Sequence, residues 1–80
     1  MSNAFVITFG RVLRRQRLIA GLSQEKLGLE AGLQRNYISM LELGERQPTI
    51  TTIFKLANVL GIKASKLITL VEDEISEPTT

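Results

Sequence analysis

The stretch GLSQEKLGLEAGLQRNYISMLELG, residues 21–44, decides the fold of this 80-residue chain. Ser23 stands just before apolar residues at helical spacing, and its hydroxyl can accept hydrogen bonds from the free backbone N–H groups of a first turn that begins at Gln24. Gly32 can take the left-handed conformation that ends a helix and turns the chain. A further helical segment, about 35–43, follows that glycine. The pattern therefore predicts two short helices joined by a tight turn.

Outside this stretch, glycines and Pro48 separate further segments whose apolar residues recur at three- and four-residue spacing. The segment before it runs to about Ala20 and contains Phe5-Val6-Ile7, a weak strand candidate that also continues the helical spacing. After Pro48 come two more segments, one that ends at Gly61 and one that spans about Ala64 to Leu70. The spacing predicts five short helices and an all-α fold.

Composition limits the chemistry that this chain can perform. With 44% hydrophobic and 22% charged residues, it is typical of one folded globular domain. Because it contains no cysteine and no histidine, disulfides, thiolate zinc sites and the usual general base are excluded. We therefore expect no catalytic residues, no metal site, no cofactor and no small-molecule ligand, and a stability that comes from packing and oligomerisation.

Charge is distributed unevenly along the chain. All ten lysines and arginines precede Val71. Four acidic residues follow it: Glu72, Asp73, Glu74 and Glu77. The part before Val71 has a net charge of +6, from ten basic and four acidic residues, which suits a polyanionic partner, although an ordinary solvated surface explains these charges equally well. We predict a folded domain over residues 1–71 and an acidic mobile tail over residues 72–80.

The sequence shows no targeting or membrane segment. No apolar run approaches the roughly 18 residues of a membrane span, and the amino terminus lacks the charged-then-apolar pattern of a signal peptide. We expect a cytoplasmic protein with no membrane contact.

Two short helices joined by a glycine turn form the helix-turn-helix unit, whose second helix, the recognition helix, lies in the major groove of DNA. Spacing alone is a weak signal for DNA binding, because many small helical proteins contain such a corner. The residues add more, because GLSQEKL (21–27), AGL (31–33) and YIS (37–39), with Leu41-Glu42, Gly44 and Pro48, resemble the phage-repressor-like (Cro or XRE) family over roughly residues 9–70. Within that family, the run LQRNYIS (33–39) is most similar to controller proteins of restriction-modification systems.

This resemblance implies a compact five-helix, lambda-repressor-like domain in which helices two and three form the helix-turn-helix. It implies a transcriptional regulator that binds double-stranded DNA as a homodimer, one half-site of a pseudo-palindromic operator per subunit. Arg35 and Asn36 take the base-reading positions, where arginine can grip guanine and asparagine can pair with adenine. Arg46, in the loop after the recognition helix, is a phosphate candidate. The full set implied for DNA binding is Ser23, Gln24, Gln34, Arg35, Asn36, Tyr37, Ser39, Met40 and Arg46.

Several of these residues also have a purely structural interpretation. Ser23 can be a helix cap and nothing more, and Arg35 a solvated surface charge. In the family, the residue at Gln24 either touches phosphate or braces the recognition helix. Tyr37 can contact phosphate or pack against the second helix.

The resemblance also implies one structural ion pair. Arg17 of the first helix matches a family arginine that meets a glutamate near the end of the recognition helix, here Glu42. We expect this pair to be largely buried.

The apolar residues of segment five predict an interface with a second copy of the chain. Leu67, Leu70 and Val71 share one apolar face, while Ile68 points elsewhere. Because one domain covers only one face, we expect the other to meet a second copy across a two-fold axis. The predicted dimer interface contains Ile68, Leu70 and Val71.

Two other functions fit the same residues. A DNA-binding antitoxin would use the same module and also wrap a toxin protein, often through a terminal segment such as residues 72–80. A helical interaction domain with no nucleic-acid role is the second, because a fold alone does not determine function.

Overall fold

Five α-helices account for most of residues 3–76, the part of the chain that the computed structural model describes. They are α1 (Ala4–Ile19), α2 (Gln24–Ala31), α3 (Arg35–Glu42), α4 (Ile50–Leu60) and α5 (Ala64–Ser76). Within residues 3–76 there is no strand, and the predicted all-α, five-helix fold is confirmed. None of these helices is long and apolar enough to cross a membrane.

The turn between α2 and α3 forms as the sequence predicts. The Ser23 hydroxyl accepts a hydrogen bond from the backbone N–H of Lys26 at 3.0 Å, which caps α2. Gly32 has φ of +71° and ends that helix, and the N–H of Leu33 donates to the carbonyl of Gly28 at 2.8 Å. The chain therefore turns within the three residues 32–34, between the end of α2 and the start of α3.

One hydrophobic core joins all five helices. Its fully buried large side chains are Phe9, Val12, Leu13, Leu27, Ile38, Leu41, Leu56, Leu67 and Val71. Burying a side chain of this size stabilises the fold by about 1.5 to 3 kcal/mol. The inner face of α3 belongs to this core through Ile38 and Leu41, so the orientation of α3 depends on packing in the whole domain.

Helix α5 is longer than predicted, since it continues to Ser76 rather than ending near Leu70. Tertiary contacts favour the extension, because the carboxylate of Glu74 pairs with Arg15 of α1 at 2.6 Å. Residues 72–76, which the sequence predicts to belong to the mobile tail, are helical in the structure. Residues 77–80 lie outside the described part, and the mobility of the tail stays a prediction.

The prediction that Val71 lies in a dimer interface is wrong. Val71 is 1% exposed and packs in the core of its own chain. Leu67 and Val71 are four residues apart on one helical stripe, and that stripe faces inward. Ile68 and Leu70 flank it on either side and are half-buried.

Candidate nucleic-acid interface

A buried ion pair holds α3 against α1. Arg17 Nε lies 2.6 Å from Glu42 Oε2, and Arg17 Nη2 donates to Glu42 Oε1 at 3.0 Å. The two side chains are 9% and 3% exposed, so the pair expected from the family resemblance is present and shielded from water. The hydrogen bond from Arg17 to Glu42, with the charge of that carboxylate, raises the pKa of Arg17 against the opposing effect of burial.

Two further hydrogen bonds extend this pair into a network. Gln24 Nε2 donates to Glu42 Oε1 at 3.0 Å, and Arg17 Nη1 donates to the carbonyl of Leu22 at 2.9 Å. No buried side-chain nitrogen or oxygen of the described residues lacks a hydrogen-bond partner. The Arg17–Glu42–Gln24 network therefore ties α1, α2 and α3 together with its polar groups satisfied.

The network also bears on the two interpretations of Gln24. Its amide nitrogen is committed to Glu42 in this structure, which is the bracing role. The amide nitrogen carries a second hydrogen, which remains available as a donor to a phosphate oxygen. Bracing of Glu42 and a phosphate contact by Gln24 are therefore compatible.

Beside this network, the amino-terminal ends of α2 and α3 lie next to each other. An open cleft of about 540 Å³ is lined by Ser23, Gln24 and Glu25 from α2 and by Arg35 from α3, with Arg17 at its base. Unpaired N–H groups and the helix dipole make an amino terminus attractive to anions. Three of the predicted DNA-binding residues are thus brought to one surface.

The first turn of α3 projects from the domain. Gln34, Arg35 and Asn36 are exposed, whereas Ile38 is fully buried. Tyr37, Ser39 and Met40 are half-buried along the sides of the helix. A helix with exposed polar groups at its start and an anchored inner face has the form that reads base edges in a major groove.

Arg46 lies apart from the cleft, in the loop between α3 and α4. It is exposed, and its guanidinium carbon lies 5.8 Å from the centre of the Tyr37 ring. This contact was not predicted. The two residues are nine positions apart in the sequence. Helical periodicity could not predict the contact, because Arg46 lies in a loop.

We define a second surface, the α4–α5 apolar surface, by Phe5, Ile50, Ile68 and Ile75, which line two neighbouring grooves, and by Phe54, which is exposed one turn beyond Ile50 on α4. Ile50 and Phe54, one turn apart on α4, are 68% and 61% exposed. A groove of about 670 Å³ runs between Ile50, Phe5 and Ile68, and a smaller one of about 210 Å³ continues past Ile68 to Ile75.

Comparison with known proteins agrees with this geometry. The model of the family HTH_3, helix-turn-helix, matches residues 13–67. The chain is 38% identical over 69 residues to the control protein C.BamHI of Bacillus amyloliquefaciens, with 85% of each chain covered. It is 42% identical over 57 residues to the control protein C.SmaI of Serratia marcescens, with 71% of this chain and 68% of that protein covered.

A solved structure is similar as well. The crystal structure of the restriction-modification controller protein C.AhdI from Aeromonas hydrophila matches with a TM-score of 0.75 at 40% identity, covering 78% of this chain and 94% of that one. The resemblance expected from the motif around residues 21–44 is therefore confirmed, including its similarity to controller proteins.

Proposed function

The chain belongs to the helix-turn-helix family HTH_3, and on that premise we propose that it regulates transcription by binding double-stranded DNA as a homodimer. Each subunit binds one half-site of a pseudo-palindromic operator. The observation that carries the proposal is the exposed polar first turn of α3, which the Arg17–Glu42–Gln24 network holds in one orientation. A rigidly held reading helix reduces the ordering cost of binding.

Arg35 and Asn36 read the bases in this proposal. Both are exposed at the start of α3, and nothing in residues 3–76 pairs with the Arg35 guanidinium. Arginine can donate two hydrogen bonds to guanine, and asparagine can bond both edge groups of adenine. Gln34, Ser39 and Met40 flank this turn as lesser contacts.

The phosphate backbone is held from two sides. Ser23, at the amino-terminal end of α2, lines the same cleft as Arg35. Arg46 lies in the loop after α3. Contacts of this kind set the position of a protein on the duplex without reading its sequence. Recognition and positioning thus fall to different residues.

The α4–α5 apolar surface is the interface between the two subunits in this proposal. Large side chains such as Ile50 and Phe54 are exposed there, and clustered apolar exposure of this kind marks interaction sites. Ile68 stays in the interface as predicted. Leu70 lies on the other flank of α5, beside Arg15 and Asp73. We therefore do not include Leu70 in the proposed dimer interface. To bind two successive half-sites, such a dimer must place its two recognition helices about 34 Å apart, one turn of DNA.

We further propose that the protein acts in the cytoplasm, without catalytic activity, cofactor or small-molecule ligand. Its relatives are transcriptional regulators and controller proteins by name.

Selection of bound sequences from a random pool of duplex DNA tests the proposal. We expect enrichment of inverted repeats whose half-site centres lie about one helical turn apart. The matched control is the Arg35→Ala variant, which should enrich less sharply at the base pairs that Arg35 contacts. A pool that stays random with the parent protein across a range of salt concentrations would contradict the proposed function.

A further inference from the structure

We propose that Tyr37 positions Arg46 for contact with the DNA backbone through the face of its ring. The inference rests on the proposed function, which it deepens. Its starting observation is the Arg46 guanidinium, which lies 5.8 Å from the centre of the Tyr37 ring. This distance is within the range of a cation–π interaction.

The ring of Tyr37 is a fixed platform. Tyr37 lies in the first turn of α3, where its N–H donates to the carbonyl of Gln34 at 3.0 Å. Its side chain is half-buried and packs against the hydrophobic core. The orientation of the ring therefore follows that of α3, which the Arg17–Glu42–Gln24 network holds.

The loop that carries Arg46 is anchored on both sides. At the end of α3, the N–H of Gly44 donates to the carbonyl of Leu41 at 3.1 Å, and the N–H of Glu45 donates to the carbonyl of Met40 at 2.9 Å. These two bonds close a Schellman motif. Pro48 is buried on the far side of the loop. The backbone of Arg46 thus lies between two anchored positions, Glu45 and Pro48.

Stacking and phosphate binding use different parts of the guanidinium. The planar face lies over an aromatic ring, while the N–H donors radiate from the edge. Within residues 3–76, no carboxylate pairs with Arg46. Its donors are therefore available to a phosphate while its face stays on Tyr37. Because a free arginine side chain loses much rotamer entropy when it is ordered, stacking before binding lowers the cost of the contact.

The test measures affinity for a random-sequence duplex, which reports backbone contacts. Tyr37→Phe keeps the ring and should lose less affinity than Tyr37→Leu. Tyr37→Leu removes it and should weaken binding about two- to fivefold per half-site, the usual strength of an exposed cation–π contact. Arg46→Ala should weaken binding further and lower the slope of log affinity against log salt by about one per subunit. Adding Tyr37→Leu to Arg46→Ala should cause no additional loss.

Arg46→Lys is the conservative control, because it keeps the charge but not the planar group that stacks. It should keep the salt slope of the parent and bind more tightly than Arg46→Ala, because its ammonium group can still lie over the ring. Equal losses in Tyr37→Phe and Tyr37→Leu would overturn the inference in favour of a hydroxyl contact. Additive effects of Tyr37→Leu and Arg46→Ala would overturn it as well.

A measurement without DNA separates this inference from the proposed function and from any loss of stability in Tyr37→Leu. In the NMR spectrum of the free protein, the Arg46 side-chain protons should be shifted upfield by the ring in the parent and in Tyr37→Phe. The shift should be absent in Tyr37→Leu. Its absence in the parent would overturn the stack itself. A parent protein that shows the shift but binds no duplex would overturn the proposed function and the DNA role of the stack together.

Discussion

Gly10 of α1 lies so close to the carbonyl oxygen of Leu41 that a Cβ atom on residue 10 would be 2.5 Å from it. The carbonyl oxygen of Glu42 would be 2.7 Å away. Both are backbone atoms at the end of the proposed recognition helix, and neither can move as a flexible side chain would. The first helix therefore approaches α3 this closely only because residue 10 has no side chain.

We predict that Gly10→Ala destabilises the protein. In an open helical position the change would stabilise by up to about 1 kcal/mol, because alanine is the better helix former. Here the added carbon has no room, and overpacking typically costs about 1 to 3 kcal/mol. Urea unfolding measures the result, with Arg11→Ala on the exposed side of α1 as control. A Gly10→Ala protein as stable as the parent would show that the two helices can separate without cost.

The Arg17–Glu42 pair predicts a large difference between single and double changes. Glu42→Ala leaves a buried guanidinium without its carboxylate, and such changes cost about 3 to 5 kcal/mol. The double change Arg17→Met with Glu42→Leu should cost less free energy of unfolding than the sum of Arg17→Met and Glu42→Leu made singly. Denaturant midpoints give these values. The exposed pair Arg15–Glu74 is the matched control, and Arg15→Ala should cost about 1 kcal/mol or less. If Glu42→Ala unfolds at the midpoint of the parent, the pair contributes no stability.

The proposed dimer predicts that a charge on the α4–α5 apolar surface separates the subunits. Phe54→Glu should sediment as a monomer at micromolar concentration and keep its helical content, because Phe54 is 61% exposed and contributes little to the core. Leu29→Glu is the control, since Leu29 is 74% exposed on α2 and outside this surface. A dimeric Phe54→Glu protein, or a monomeric Leu29→Glu protein, would place the interface elsewhere.

Arg35 and Arg46 should differ in the kind of DNA binding that they support. Arg35→Ala should cost about 1 to 3 kcal/mol per half-site on the preferred operator and little on unrelated DNA. Arg46→Ala should weaken binding to all sequences alike, because a phosphate contact carries no sequence information. Titrations of both duplexes across a range of salt concentrations measure the difference. Equal losses on operator and random DNA for Arg35→Ala would identify Arg35 as a backbone contact.

Local patterns in the sequence were enough to determine the number of helices and the ends of α2. Ser23 caps α2 and Gly32 ends it as predicted, because a hydroxyl before a helix and a glycine after it act on backbone groups only a few residues away. The inward positions of Ile38 and Leu41 likewise follow from helical periodicity. The motif within residues 21–44 also determined the family, since its residue types and spacing are specific to it.

Only the tertiary structure decided which side chains meet across the domain. The Arg15–Glu74 pair joins residues 59 apart in the sequence and accompanies the extension of α5 to Ser76. Val71 is buried in the core of its own chain, although the sequence pattern predicts it in the dimer interface. The stack of Arg46 on Tyr37 depends on how the loop after α3 returns over that helix. Periodicity shows which side of a helix is apolar, but the packing of the other helices determines what covers that side and how far along the helix the cover extends.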